Sequence, residues 1–289
     1  MSENWQQAAE AALGQKIVSK RSLSGGDFAT AYAAELASGE RLFIKTHQNP
    51  PACFFSTEAT GLGWLQDTNT VNIPRVLAVS DESPFLAMEW VEVGSANRRT
   101  EESLGQDLAA MHRVCQAEFG RIDQRTTGSL AVPNQRVDRW ADFYASQRLQ
   151  PLATIARQRQ ALPSSECDAL LAIADQLQNC CIANDQPSLL HGDLWAGNRL
   201  VDSAGESWLI DPAAHCGHRE FDLSMMLLFG GYSERCFAAY QESYPLESDF
   251  QERVSLHQLA PLVVHAIKFG DGYRAAVSKA IAESQRLLA

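Results

Sequence analysis

Short hydrophobic runs alternate with polar positions between residues 29 and 90, a pattern typical of β-strands joined by tight turns. The spacing of the apolar residues changes once in this region. In segment 52–66 they recur every three or four positions, as they do on one face of a helix. We therefore predict an antiparallel sheet with one helix inserted between its strands. The strands are expected at residues 29–35, 41–45, 75–79 and 85–90.

Helical periodicity dominates after about residue 95. The segment 120–133 is rich in Thr, Gly and Ser and is interpreted as a loop near the substrate side. Since 289 residues exceed the size at which a single core usually stops growing, two lobes around a cleft are expected. The predicted fold is α+β, with an N-terminal lobe at residues 1–93 and a mainly helical C-terminal lobe at residues 94–289. Its helices are expected around residues 104–111, 137–149, 167–181, 221–229 and 256–269.

A second set of short strands is predicted within residues 188–210, and the candidate catalytic residues lie in the loops that follow these strands. Asp193, in the loop after the first strand, is a candidate for accepting the proton of an attacking hydroxyl. Asn198 in the same loop, and Asp211 after the last strand, carry the oxygen ligands that Mg²⁺ prefers. This spacing is that of the catalytic loop and metal-binding aspartate of kinases. Turn preferences would explain an isolated His-Gly-Asp, but not the whole arrangement.

Three neighbouring residues are interpreted as supports or acceptor contacts. His191, at the start of the loop, is expected to orient the loop rather than to exchange protons. Asp222 enters a predicted helix, and we expect a buried carboxylate that accepts hydrogen bonds from backbone N–H groups of the loop. Trp195 lies between the candidate base and the metal ligand, where its ring could stack on a sugar, with a core position as the alternative.

The N-terminal half supplies a candidate nucleotide site. Gly25 and Gly26 precede a predicted strand, where a glycine-rich loop would let backbone N–H groups approach phosphate oxygens; an ordinary hairpin turn is the alternative. Lys45 ends a strand, as does the kinase lysine that binds the α- and β-phosphates. Glu58, on the predicted helix, is its expected ion-pair partner, with a surface position as the alternative.

The last predicted strand leads into a hinge at about residues 91–94, whose backbone is expected to hydrogen-bond adenine. Glu89 and Val91 are the positions assigned to the nucleotide there. Together with the catalytic loop, these residues predict ATP and Mg²⁺ as cofactors.

Composition excludes some function classes. The chain has 45% hydrophobic and 20% charged residues, as ordinary globular proteins do, and its net charge of −11 disfavours nucleic acid and anionic membranes as partners. Its seven scattered cysteines, without a Cys-x-x-Cys pair, indicate reduced thiols and argue against a zinc site. The polar, acidic start shows no secretory signal, and no apolar run approaches a membrane span. We therefore expect a cytoplasmic monomer.

Four motifs give the chain a specific resemblance. They are His-Gly-Asp-Leu-Trp-Ala-Gly-Asn at 191–198, Asp-Pro-Ala at 211–213, Gly-His-Arg-Glu-Phe-Asp-Leu-Ser-Met at 217–225 and Phe-Gly-Gly at 229–231. Nearly the whole chain resembles the fructosamine kinase (ketosamine-3-kinase) family, within the superfamily of aminoglycoside and choline phosphotransferases, which have a protein-kinase-like fold. The resemblance implies transfer of the ATP γ-phosphoryl group to the C3 hydroxyl of a ketosamine, carried by small amines or glycated protein lysines.

The resemblance also suggests which residues meet the acceptor. His218, Arg219 and Glu220 are candidates for binding it or closing the site, without individual roles. Ala196 departs from the serine usual in the family, so either that hydroxyl is not required or substrate preference has shifted. Two alternatives stay open: a small-molecule kinase of the aminoglycoside or choline type, and a pseudokinase, which is disfavoured because every expected catalytic position is filled.

Overall fold

The computed structural model describes residues 4–24, 28–114, 117–179 and 186–289. Its N-terminal part is a five-stranded antiparallel sheet with the strand order β1-β2-β3-β5-β4. The strands are β1 (Ile17–Leu23), β2 (Thr30–Leu36), β3 (Arg41–Thr46), β4 (Val76–Ser80) and β5 (Phe85–Glu89). Helix α1 (Asn4–Leu13) precedes the sheet, and α2 (Phe54–Asp67) connects β3 to β4.

The predicted strands and the inserted helix are confirmed, with ends displaced by one or two residues. Helix α1 and strand β1 were not predicted. Strand β1 exposes most of its side chains, so it lacks the alternation that marks a half-buried strand. Helix α1 lies in the polar start, where only Trp5 and Ala9 belong to the core.

Alternation along β3 separates the two faces of the sheet. Leu42 and Ile44 are fully buried against α1. Phe43 and Lys45 point to the opposite face and line the cleft between the sheet and the rest of the chain. Because successive side chains of a strand point to opposite faces, the apolar packing of β3 also fixes the direction of Lys45.

The remainder of the chain is mainly helical and carries, in its described residues, two small two-stranded antiparallel sheets. Strand β6 (Ser188–Leu190) pairs with β9 (His215–Gly217), and β7 (Arg199–Val201) pairs with β8 (Ser207–Leu209). The predicted boundary between residues 93 and 94 stays a prediction. The helices are α3 (Thr100–His112), α4 (Trp140–Tyr144), α5 (Gln150–Gln158), α6 (Ser164–Asn179), α7 (Glu220–Phe229), α8 (Glu234–Ser243), α9 (Phe250–Phe269) and α10 (Arg274–Leu287).

A π-helical turn, Ala145–Leu149, joins α4 to α5, where a single helix over residues 137–149 was predicted. Pro151, in the first turn of α5, has no N–H to donate to the preceding turn. The carbonyl oxygen of Gln147 instead accepts a hydrogen bond from the Arg148 guanidinium at 2.9 Å. Single π-turns of this kind are frequent at functional sites.

Helix α9 continues through Pro261, which leaves a helical carbonyl without its usual donor. The buried hydroxyl of Tyr144 donates to Leu256 O at 2.7 Å, lies 3.1 Å from His257 O and accepts from Ala260 N. It thereby satisfies the backbone beside the proline. No helix in the described part of the chain is long and apolar enough to cross a membrane.

Candidate active site

The candidate catalytic and phosphate-binding residues meet in one cleft of about 640 Å³ between the sheet and the C-terminal helices. Strand β3 and helix α2 contribute one wall, and the loops after β6 and β8 contribute the other. Six of the predicted residues line this cleft: Lys45, Glu58, Asp193, Trp195, Asn198 and Asp211. The fold thus brings together side chains from both halves of the sequence.

Asp222 holds the start of the catalytic loop, as predicted. Its buried carboxylate accepts the backbone N–H groups of His191 at 2.8 Å and Gly192 at 2.9 Å. Burial disfavours the charged form of Asp222, but hydrogen bonding and charge from His112 and the Gly192 N–H keep its pKa below the ordinary value. Gly192 has φ +80°, and a Cβ there would lie 2.3 Å from Ala213 O, so only glycine fits this crossing.

His191 links the catalytic loop to the strand that ends before Asp211. Its Nε2 donates to Ile210 O at 3.0 Å, and its Nδ1 accepts the Asp193 N–H at 3.3 Å. Burial lowers the pKa of His191, so the ring is neutral. These contacts confirm that His191 lies where it can orient the loop.

Asp193 is held by Asn198. The amide nitrogen Nδ2 of Asn198 donates to Asp193 O at 2.9 Å and to Asp193 Oδ2 at 3.0 Å. Burial raises the pKa of Asp193 to about 7, with the nearby Asp211 carboxylate adding to the effect and the Asn198 hydrogen bond opposing it. Because Nδ2 is engaged, Asn198 can offer its amide oxygen to a cation.

Asp211 follows β8 with a left-handed backbone, φ +58°. Residues other than glycine adopt this conformation rarely, although aspartate tolerates it better than most, and such positions cluster at functional sites. Its side chain is 37% exposed, whereas that of Asp222 is fully buried. Of these two carboxylates, therefore, Asp211 is the one that offers its oxygens to the cleft.

The predicted ion pair between β3 and α2 is confirmed. Lys45 Nζ lies 2.6 Å from Glu58 Oε1 and also contacts Asp211 Oδ1. Burial alone would lower the pKa of Lys45, but the carboxylates of Asp211 and Glu58 outweigh it and raise that pKa above its ordinary value. The ammonium is therefore charged and is held between the two carboxylates at the wall of the cleft.

Trp195 forms part of the outer rim of the cleft and is 38% exposed, which contradicts a core position. Its ring covers Gly197, where a Cβ would lie 2.2 Å from the indole, and it contacts Phe229 with 6.0 Å between ring centroids. Residues 126–130 of the predicted loop 120–133 line the same cleft. Trp195 is thus available to a ligand in this cleft.

The cleft lining does not confirm four of the residues assigned to the nucleotide. Gly25 and Gly26 lie outside the described residues. Glu89 turns its side chain away, because Oε1 accepts the Arg75 N–H at 2.8 Å and the residue borders a separate shallow recess. Val91 is also absent from the lining, so its contact with adenine stays a prediction.

The expectation that His218, Arg219 and Glu220 contact the acceptor needs correction. All three are at most 3% exposed and lie outside the cleft lining. Arg219 donates to the carbonyls of residues 244 and 245, which ties the start of α7 to the segment after α8. These three residues therefore belong to a buried polar cluster and not to the lining of the cleft.

Glu220 forms the centre of this buried packing. Arg253 donates to both of its oxygens, at 2.7 and 2.8 Å, and His257 Nε2 lies 3.3 Å away. His218, Glu220 and His257 could geometrically hold a metal ion. The guanidinium already occupies both carboxylate oxygens, however, and its charge opposes a second cation.

The sequence reading missed four residues that shape the cleft. Arg121, fully buried, donates to Ala214 O at 2.5 Å and Thr57 O at 3.4 Å, and so joins the segment after Asp211 to α2. Arg148, His215 and Lys268 line the cleft. A buried arginine has no periodic signature, and only contacts distant in sequence reveal it.

The chemistry of the donor set fits a magnesium nucleotide. The Asp211 carboxylate and the Asn198 amide oxygen are hard oxygen ligands, which Mg²⁺ prefers. The Lys45 ammonium beside them is a buried cation suited to phosphate oxygens. Among the described residues, these three could hold the cofactor.

The family model described as fructosamine kinase matches residues 1–287. The chain belongs to the fructosamine kinase family. It is 33% identical to a probable ketoamine kinase of Synechocystis sp., over 94% of this chain and 92% of that protein. It is 30% identical to the chloroplastic protein-ribulosamine 3-kinase of Oryza sativa subsp. indica, over 94% of this chain and 80% of that protein.

Solved structures agree with this family and with the kinase-like fold. A candidate fructosamine-3-kinase of Thermobifida fusca superposes with a TM-score of 0.88 at 33% identity, covering 97% of this chain and 98% of that one. The aminoglycoside phosphotransferase APH(2")-IIa in complex with gentamicin, at 15% identity and a TM-score of 0.64, shares the fold over 99% of this chain and 96% of that one. This fructosamine kinase family member is therefore an ATP-dependent phosphotransferase with the predicted two-lobed α+β fold.

Proposed function

We propose that the protein transfers the γ-phosphoryl group of ATP to the C3 hydroxyl of a ketosamine, carried by a small amine or a protein lysine. The observation that carries this proposal is the single cleft in which Asp193 and Trp195 lie beside Lys45, Asn198 and Asp211. Family membership supports the acceptor class, since similar proteins are described as ketoamine kinase and protein-ribulosamine 3-kinase.

Phosphate binding rests on Lys45, which Glu58 holds in place at 2.6 Å. Asp211 and Asn198 are the residues that would hold magnesium. When bound, Mg²⁺ neutralises charge on the phosphates. Because phosphoryl transfer needs little covalent chemistry from the protein, these residues contribute mainly by positioning and by charge stabilisation.

Asp193 orients the acceptor hydroxyl and takes its proton. Asn198 occupies Asp193 Oδ2, which leaves Oδ1 as the oxygen that faces the hydroxyl. A base is most effective when its pKa is near the working pH, and burial raises that of Asp193 to about 7. The loop geometry that fixes this carboxylate comes from His191 and from Asp222.

The acceptor sugar stacks on Trp195 at the rim, and its amine extends toward solvent. Phosphorylation at C3 has a chemical consequence for a 1-amino-2-ketose. Enolisation toward C1 gives an enaminol in which the C3 phosphate is allylic, so phosphate leaves and an imine forms at C1. Hydrolysis of this imine by water frees the amine and leaves a dicarbonyl. We therefore propose that the enzyme acts in deglycation repair.

The test is incubation of the enzyme with ATP, Mg²⁺ and ketosamines of Nα-acetyl-lysine made from six-, five- and four-carbon sugars. Phosphorus NMR should show a phosphate ester at C3, followed by inorganic phosphate and recovery of unmodified Nα-acetyl-lysine. Asp193→Asn provides the inactive control. Stable phosphorylation of an aminoglycoside or choline, with no turnover of any ketosamine, would contradict the proposal.

A further inference from the structure

One part of the cleft, here called the inner subsite because its polar residues are buried, is formed by Arg148 and His215 with Leu152, Phe221 and Ala260 as apolar walls. His215 lies on β9 and packs against the catalytic loop, since a Cβ built on Gly192 would be 3.0 Å from His215 Nδ1. The inner subsite therefore directly adjoins the position of Asp193.

His215 presents a hydrogen-bond acceptor that has no partner. Its Nδ1 donates to Ala213 O at 2.9 Å, so Nε2 carries the lone pair. Nε2 is buried and has no hydrogen-bond partner among the residues that the structure describes. Burial, together with the nearby Arg148 charge, lowers the pKa of His215 to about 3, so the ring stays neutral. Buried acceptors are rarely left unpaired, because each costs the desolvation of a polar group.

Arg148 presents the complementary donors. Its guanidinium donates to Pro133 O, Gln147 O and Asn134 Oδ1 at 2.7 to 2.9 Å, which uses three of its five N–H groups. Arg148 takes part in none of the ion pairs between described residues, although it is only 6% exposed. The π-turn Ala145–Leu149 carries this arginine.

The ring of Phe143 packs against both Arg148 and His215. The Arg148 guanidinium lies 4.6 Å from the centroid of this ring, and the His215 imidazole stacks on it at 5.5 Å. A donor and an acceptor that both line the cleft thus pack on the same phenylalanine. A single hydroxyl can satisfy both, because it donates one hydrogen bond and accepts others.

We propose that the inner subsite binds the hydroxyl at the end of the ketose chain, which donates to His215 Nε2 and accepts from Arg148. This inference rests on the proposed ketosamine kinase function. With the C3 hydroxyl at Asp193 and the amine directed past Trp195 to solvent, the remaining sugar carbons run inward along Gly192. A carboxylate or phosphate is disfavoured, because its lone pairs would face the lone pair of neutral His215.

Paired substrates test the proposal. For whichever ketose the wild-type enzyme uses best, kcat/KM is compared between the ketosamine of Nα-acetyl-lysine and its analogue that lacks the terminal hydroxyl. Loss of that hydroxyl leaves buried polar groups unpaired, so wild-type kcat/KM should fall roughly tenfold to a hundredfold. Equal values for the two substrates overturn the inference, whereas absence of turnover with every ketosamine overturns the proposed function instead.

Three variants locate the contact. His215→Asn keeps a donor near the position of Nδ1 but removes the acceptor, so the preference for the hydroxylated substrate should fall to within about threefold. His215→Gln places an amide oxygen near the position of Nε2 and should restore part of the preference. His265→Phe is the matched control, since His265 lines the same cleft but contacts Phe229 at 4.7 Å on the Trp195 side. It should retain the wild-type preference. An unchanged preference in His215→Asn, or its loss in His265→Phe, would overturn the assignment.

Discussion

Replacement of Asp222 by asparagine tests how the catalytic loop is held. The carboxylate accepts hydrogen bonds from His191 N at 2.8 Å, Gly192 N at 2.9 Å and His112 Nε2 at 3.2 Å. The side chains of Asp222 and His112 are both fully buried. An amide has one acceptor oxygen, so its NH₂ group must face one of these donors. A lost hydrogen bond to a charged group costs roughly 1.5–3 kcal/mol, and the donor left unpaired costs about 1–3 kcal/mol more. We expect Asp222→Asn to lose about 3–5 kcal/mol of unfolding free energy.

Thermal unfolding and steady-state kinetics measure the two consequences. A loss of 3 kcal/mol would lower Tm by roughly 6–12 °C for a protein near this size. Displacement of the loop by about 1 Å would lower kcat by on the order of 100-fold. Asp107→Asn is the control, because burial and the charge of Glu206 raise the pKa of Asp107 to about 6 and its ionised form is already disfavoured. The control should be neutral or stabilising at pH 7. Unchanged Tm and kcat in Asp222→Asn would refute the assigned role.

Four further outcomes follow from the site. Asp193→Asn should keep nucleotide binding and lower kcat by roughly 100- to 10,000-fold, and near-normal kcat would contradict its role as base. Asp211→Ala should impair activity more than Lys45→Ala and change the Mg²⁺ titration; an unchanged titration would remove Asp211 as metal ligand. Trp195→Ala should raise the KM for ketosamine more than that for ATP, by roughly 1–3 kcal/mol of stacking, and an equal rise in both would argue against stacking. Burial would raise the pKa of Glu220, but the contacts with arginine and histidine outweigh it and hold this pKa below its ordinary value. The ionised Glu220 therefore stabilises the folded protein above the unfolded-state pKa of about 4.3, and this stabilisation is lost as the pH falls below that value toward the lower folded-state pKa. The Tm difference between wild type and Glu220→Gln should therefore shrink in acid, and a constant difference would contradict the pairing.

The predictions that succeeded were those in which one local pattern fixes geometry. Alternation in β3 directs Lys45 to the cleft, and the period of α2 places Glu58 opposite it, so their 2.6 Å contact could be anticipated from spacing. Asp222 was predicted as a buried support because it begins an apolar helix close to Asp211. In each case a short segment determines which way the side chain points.

The residues that were misassigned or missed depend on contacts between distant segments. His218 was expected at the acceptor, but its neighbours on α9 hold the following glutamate inside the C-terminal core. Arg148 and His215 are 67 positions apart by their numbers and meet only because the π-turn and β9 pack on the same phenylalanine. Neither position has a spacing that distinguishes it from ordinary core or surface residues.

The hydroxyl that Tyr144 inserts beside Pro261 has a consequence for how this family member can vary. The hydroxyl occupies the gap in α9 that the proline creates, and Pro261 itself lines the cleft. Phenylalanine at position 144 would leave backbone carbonyls unpaired while the proline is present, but would lose little once a residue with an N–H stands at position 261. The two positions are therefore epistatic: a change at Tyr144 destabilises the protein if it comes first and costs little after a change at Pro261, so the order of mutation matters for the wall of the cleft that Pro261 lines.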